Sequence, residues 1–231
     1  MSAYYRVHSS QKEPLQTITD SSHQKSDFKR KAESMSPHCQ IICELARTTG
    51  LQLRQAISLA KNIPAFQDVI DNLMAQGKAQ IPLLELGIDS VEDIDRDVLK
   101  VFNDDYREVC SRLNLFFDWE DDCVLWEYLW ESVRKSEYPE KPSRLSSVFC
   151  FDDRANAEMF YRSYRDEDYV ISSISLLSGT TERFDMNWFT DFAGDLSFDE
   201  AICKVRSYWS KEYTSEPILE ILHEGKYKLV G

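Results

Sequence analysis

Apolar residues alternate with polar ones at the start of the chain, recur at helical spacing for about a hundred residues, and then alternate again. In AYYRVHSS, residues 3–10, the period is two and Tyr and Val are abundant, which predicts a first strand within residues 1–10. Residues 11–37 are rich in Ser, Lys and Gln with few large apolar groups. Such a stretch buries too little surface to offset its ordering entropy, so it reads as a long loop. The 3.6 period then runs through residues 38–137. SPHCQIICELARTTG predicts a helix with Ser36 as N-cap, Pro37 behind it and Gly50 as its stop. LQLRQAISLAKN and PAFQDVIDNLMAQG predict two more, the second opening on Pro64 and closing on Gly77. SVEDIDRDVLKVFNDDYREVCSRLN predicts a fourth that starts at Ser90 and sets Ile94, Val98, Val101 and Phe102 on one face.

After the connector YPEKPSR the pattern becomes mixed. LSSVFCFDD reads as a strand, RANAEMFYRSYR as a helix, YVISSISLL as a strand, SGTTERFDMNWFTDFAGD as a loop and SFDEAICKVRSYWSK as a helix. PILEILHEGKYKLVG closes the chain as a strand, a turn at Gly225 and a strand. The fold class is therefore α+β. Residues 138–231 form a core that takes its first strand from residues 1–10, with the helical block 38–137 inserted between them.

Composition narrows the function. With 42% hydrophobic and 12% aromatic residues a packed core is expected, and no run of about 18 apolar residues suggests a membrane span. MSAYYRVHSS lacks the basic-then-apolar order of a cleavable signal peptide, so synthesis in a cytoplasm is expected. Six scattered cysteines without a CxxC pair, and four histidines, argue against zinc and against a disulfide framework; no metal is expected, and the thiols are read as reduced. A formal charge of −13 disfavours nucleic acid and anionic lipid as partners. Residues 103–132 hold nine acids and two bases, interleaved with Trp119, Trp126 and Trp130. That stretch suits a partner with a basic surface, or an amphipathic helix with buried rings and a solvated acidic face.

Three phrases carry a resemblance. YYRVHSS resembles the first strand of pertussis- and cholera-type ADP-ribosyltransferases, with Arg6 after an aromatic residue and Ser9 three positions on. SRLSSVFCFDDRANAEMFY resembles the serine strand and following helix of the same fold, and LEILHEG resembles the phrase that carries the catalytic glutamate. In length and helical insert the chain resembles the CteC-like family of bacterial type III effectors, which are associated with ADP-ribosylation of ubiquitin on a threonine. The resemblance implies an ADP-ribosyltransferase-like split β core and a monomeric transferase using NAD, delivered into a host cell by a needle-type apparatus. It implies Glu220 as the catalytic carboxylate, Arg6 and Ser9 on the first strand, and Ser146 and Ser147 beside the nicotinamide, with Ser147 favoured to face the site.

The chemistry explains these residue types. Cleaving nicotinamide from ribose develops an oxocarbenium-like cation that a carboxylate stabilises, which is the role for Glu220. Arginine presents a rigid donor fork to a pyrophosphate, the role for Arg6 with Arg144 as a second candidate. Phe149, Phe151 or Trp188 could stack on the nicotinamide. Arginine-modifying members carry an acid or amide two positions before the glutamate; here Ile218 stands there, which disfavours a guanidinium acceptor and favours a hydroxyl acceptor or plain NAD hydrolysis. The expected site places Arg6 and Glu220 on opposite walls of one crevice. The competing expectation is a non-enzymatic acidic binding module with the same fold, in which Glu220 and Arg6 are ordinary strand charges.

Overall fold

The computed structural model describes residues 4–23, 27–88, 90, 92–113, 123–164, 169–189 and 195–230. It is α+β, and it divides into two compact units: Met1–Arg30 with Leu129–Asp191 and Lys204–Gly231, and Lys31–Tyr128 with Phe192–Cys203.

The first unit is built on one antiparallel sheet. Strands β1 (Tyr4–Ser9), β2 (Ile18–Asp20), β5 (Val148–Cys150), β6 (Tyr169–Asp185) and β7 (Leu219–Val230) pair in the order β1-β6-β7-β2, with β5 also on β7. Beyond β5 the chain meets β1 again, where Tyr5 and Phe151 exchange two backbone hydrogen bonds of 2.7 and 2.8 Å. That bridge closes β1, β6, β7 and β5 into a small barrel. Alternation then sorts the side chains. Val148, Cys150, Ile174, Ile221, Tyr227 and Leu229 pack together inside with Tyr4. Val7, Phe151, Ala157 and Met186 pack on the outer side with Tyr5 and Ile218, beneath α6 (Arg154–Tyr164).

The second unit is largely helical: α2 (Ser36–Thr49), α3 (Leu53–Ala75) and α4 (Arg96–Leu113) pack together, with a two-stranded ribbon of β3 (Gln80–Pro82) and β4 (Asp93–Asp95). The division between the units falls within α1 (Asp27–Ser34), α5 (Cys123–Glu137) and α7 (Phe198–Trp209). Among the described residues no helix is long and apolar enough to cross a membrane.

Several sequence expectations are corrected. Residues 11–37 are not one loop, because β2 finds backbone partners on β7 and α1 follows. Ser36 is the first residue of α2 and not its cap; its hydroxyl donates to Ala32 O at 3.3 Å. Gly50 does stop the helix, with φ 75° and its N–H on Ala46 O. The helices expected on either side of Pro64 are the single α3, with Leu59 buried before the proline and Ile70 buried about three turns later on the same face. α4 starts later than Ser90, because Asp95 caps it by accepting from the N–H groups of Asp97 and Val98 at 2.8 and 3.2 Å. Ile94 accordingly lies in β4, and Val101 is 60% exposed. The polar stretch from Ser178 to Asp185 is strand and not loop, since each residue from Ser178 to Asp185 is paired in register with β7.

The strand–turn–strand expected at the C-terminus is one continuous strand. Gly225 sits opposite Gly179, at φ 148° and 136° respectively. A Cβ on either would lie 2.1 Å from a carbonyl oxygen of the opposing strand. The glycine therefore marks a close approach of two backbones and not a reversal.

The barrel interior also carries titratable groups. His8 is 2% and His223 1% exposed. Nε2 of His8 is 3.0 Å from Ser172 Oγ, and Nδ1 of His223 is 2.8 Å from Thr181 Oγ1. Burial lowers both histidines below their ordinary 6.5. Burial would raise Glu13, but its two hydrogen bonds from Arg6 outweigh that and hold it below its ordinary 4.5. A depressed histidine is protonated first in the unfolded chain, so stability begins to fall as pH drops below about 6.5. Glu13 contributes stability above about pH 4.5, lost as pH falls through its lower folded value. Urea midpoints from pH 8 to 3 are expected to decline in these two stages; a flat profile above pH 5 would remove the histidines from the interior.

Candidate functional site

β7 begins where Asp185, the last residue of β6, collects the chain. Its buried carboxylate accepts from the N–H groups of Asn187, Thr214 and Ile218 and from the Thr214 hydroxyl, at 2.7–2.9 Å. Asn187 of the 3-10 turn Met186–Phe189, Thr214 and Ile218 are thereby tied to one carboxylate, which fixes the chain two positions ahead of Glu220.

Glu220 lies opposite Phe184 on the outer side of the sheet and is 4% exposed. Its Oε1 accepts from Arg144 Nη1 at 2.5 Å and from the Tyr208 hydroxyl at 2.7 Å. The same Nη1 also donates to the Tyr208 oxygen at 2.8 Å, so the three groups close a ring of hydrogen bonds. The Arg144 guanidinium carbon lies 4.2 Å from the ring centroid of Phe189, 4.8 Å from that of Phe149 and 5.5 Å from that of Tyr208. The Glu220 carboxylate and the faces of these three rings thus meet a buried cation. Tyr208 is itself fixed by stacking on Phe184 at 4.7 Å and by edge contacts with Trp130, Phe189 and Trp209.

The stretch leading into β5 is tethered twice. Ser143 Oγ donates to Glu131, while Ser143 N–H and Ser146 Oγ donate to the two oxygens of Glu224 at 3.1 and 2.7 Å. Ser146 is thereby engaged by Glu224. The Ser147 hydroxyl is fully buried and has no hydrogen-bond partner among the described residues, while its carbonyl accepts from Lys29 Nζ. Lys29 also stands 5.4 Å from the Phe149 centroid.

Arg6 and Glu220 do not face one crevice, which corrects the arrangement expected for them. Arg6 shares the parity of Tyr4 and His8 and turns into the barrel, toward Cys150 and Tyr227. Its Nε and Nη2 bond the two oxygens of Glu13 at 2.8 and 2.7 Å, and Nη1 donates to Phe149 O at 3.0 Å. Burial works against this charge, but the Glu13 carboxylate outweighs it and holds the guanidinium above its ordinary range. Tyr227 Oη donates to the same carboxylate at 3.2 Å. Ser9 ends β1, its carbonyl accepting from the N–H groups of Lys12 and Glu13 at 3.2 and 3.1 Å. Sheet alternation therefore places Arg6 and Glu220 on opposite sides of the same sheet.

The structure does bring Arg144, Phe149 and Glu220 together. Of the other aromatics named from sequence, Phe151 is in the outer cluster, and Trp188 donates to Glu212 O at 2.9 Å. Trp130 is fully buried against Phe189 and Tyr208, while Trp119 lies outside the described residues. Sequence reasoning missed Tyr208 and Phe189. Phe189 sat in a stretch read as loop, and Tyr208 is one aromatic among several in a helix with no local signal that its hydroxyl reaches a strand. Cys150 is buried and its thiol is pushed up to about 12, chiefly by burial, so it is a core residue and no nucleophile. Among the described residues no group of three or more His, Cys, Asp or Glu could hold a metal ion.

The barrel with one helix-backed carboxylate cluster defines an α+β protein whose candidate centre lies within a single compact unit. Residues 85–231 match the family described as protein of unknown function (DUF2441), and the chain belongs to that family. The match covers Arg144, Phe149, Tyr208 and Glu220 and leaves out Arg6 and Ser9. No curated protein matches the chain.

Proposed function

We propose that the protein is an NAD-dependent mono-ADP-ribosyltransferase in which Glu220 is the catalytic carboxylate and Arg144, in place of Arg6, is the arginine that meets the dinucleotide. The observation that carries this reading is the gathering of Glu220, Arg144 and the rings of Phe149 and Phe189 in one cluster. A carboxylate, a planar donor fork and flat rings suit a ribose, a pyrophosphate and a pyridinium respectively. In the reaction the bond from ribose C1′ to the nicotinamide nitrogen breaks, and its electron pair leaves with neutral nicotinamide. Glu220 meets the positive charge left on the ribose. The oxygen of an acceptor hydroxyl then bonds to C1′, and its proton passes to the carboxylate or to water. Ile218 packs in the outer apolar cluster, so no acid stands there to receive a guanidinium, which favours a hydroxyl acceptor. The acidic excess of residues 103–132 favours a target with a basic surface. Ubiquitin, reached in a host cell after needle-type secretion, is the target that the resemblance names.

The test is incubation with labelled NAD and a eukaryotic lysate, for wild type and for Glu220→Gln. Wild type is expected to label protein, and the variant to lose at least about a hundredfold in rate. Mutual burial of Glu220 and Arg144, at 4% and 7% exposure, favours one other reading, a structural ion pair in a non-enzymatic acidic binding module. Wild type would then consume no NAD and label nothing, while Glu220→Gln would still lower the unfolding temperature.

A further inference from the structure

The resemblance sets Ser146 and Ser147 beside the nicotinamide, and here these serines, just ahead of β5, are elsewhere engaged or without a hydrogen-bond partner among the described residues. Ser146 donates to Glu224, and the buried Ser147 hydroxyl has no hydrogen-bond partner among the described residues. What touches the Glu220 carboxylate from α7 is Tyr208, 2.7 Å from Oε1. We propose that Tyr208 is the positioning residue for Glu220, donating its hydroxyl proton to the carboxylate and holding it ionised and correctly turned for the ribose. This rests on the enzymatic reading of the same site.

Three features favour that assignment. First, the tyrosine ring has no freedom to swing: it is fully buried, stacked on Phe184 and edged by Trp130, Phe189 and Trp209. Second, the hydroxyl is directional. Arg144 Nη1 donates into its oxygen at 2.8 Å, which leaves the single proton for Glu220. Third, burial drives the phenol well above its ordinary 10, so it remains a donor at any pH at which the enzyme works. A neutral donor on an ionised carboxylate favours the charged form, which is the form that stabilises a developing cation.

Tyr208→Phe keeps the ring stack and removes only the hydroxyl. In a steady-state assay of NAD consumption, kcat is expected to fall about tenfold to a hundredfold with KM nearly unchanged. The acid limb of the pH–kcat profile is expected to move to higher pH, because Glu220 then protonates more easily. Replacing Tyr208 by 3-fluorotyrosine, a stronger donor of almost the same shape, should move that limb the opposite way and serves if the Phe variant folds poorly. A third readout needs no turnover: the side-chain carboxyl carbon of Glu220, followed by NMR against pH, should titrate higher in Tyr208→Phe than in wild type. Unmoved kcat, acid limb and carboxyl titration together would overturn the role of Tyr208. If wild type consumes no NAD, the enzymatic reading fails separately, and the carboxyl titration alone decides whether Tyr208 governs Glu220.

Discussion

Arg144→Met is expected to destabilise the protein by about 3–5 kcal/mol, because it removes the cation that meets the buried Glu220 carboxylate. For a chain of this length that corresponds to a fall in unfolding temperature of roughly 6–20 °C. The double variant Arg144→Met/Glu220→Leu removes both charges and fills the space with apolar groups of similar volume. It is expected to recover most of the lost stability, since the desolvation of two ions is then also removed. On the enzymatic reading proposed above, the double variant should fold yet turn over no NAD. Calorimetry on the two singles and the double gives the coupling directly. A double variant as unstable as Arg144→Met alone would mean that packing against Phe149 and Phe189, and not charge, is what Arg144 supplies.

Gly225→Ala carries the second large effect. The added Cβ would meet Ser178 O at 2.1 Å and Gly179 Cα at 2.7 Å, both backbone atoms that cannot rotate away. Relief requires β6 and β7 to part at the head of the run in which Ser178–Asp185 are paired residue by residue with Leu219–Lys226. A cost of about 3 kcal/mol or more follows from overpacking added to a backbone conformation that side chains rarely adopt. Gly50→Ala is the control: φ is also positive, at 75°, but nothing lies within 4 Å of the new Cβ, and about 1 kcal/mol is expected. Urea unfolding of the two variants separates the contributions. Equal midpoints would show that the strands yield at Gly225 without loss.

Much of the architecture is legible in the chain because it is a matter of local period. The β1 alternation, the stripes of α2, α6 and α7, and the glycine stop at Gly50 all depend on neighbours within one or two turns. The α+β class follows from the order of those periods. Where the reading failed, a distant partner had overruled the local signal. Polar Ser178–Thr181 become strand because β7 satisfies their backbone, Gly225 lies within a strand because Gly179 faces it, and the helix that holds Pro64 is anchored by buried Leu59 and Ile70 on either side.

The same division applies to the candidate site. That Glu220 stands alone between apolar neighbours, with Ile218 two places before it, is a property of the sequence by itself, and so are the arginine and serines before β5. Which arginine meets the glutamate was decided only by tertiary structure. Arg6 and Glu220 sit on strands whose alternation turns them to opposite sides of one curled sheet, whereas Arg144 reaches Glu220 on the outer side together with Tyr208 from a helix. Alternation along a strand is encoded residue by residue. The side to which each strand's parity points is set only when the strands pair and the sheet closes, which no local period can express.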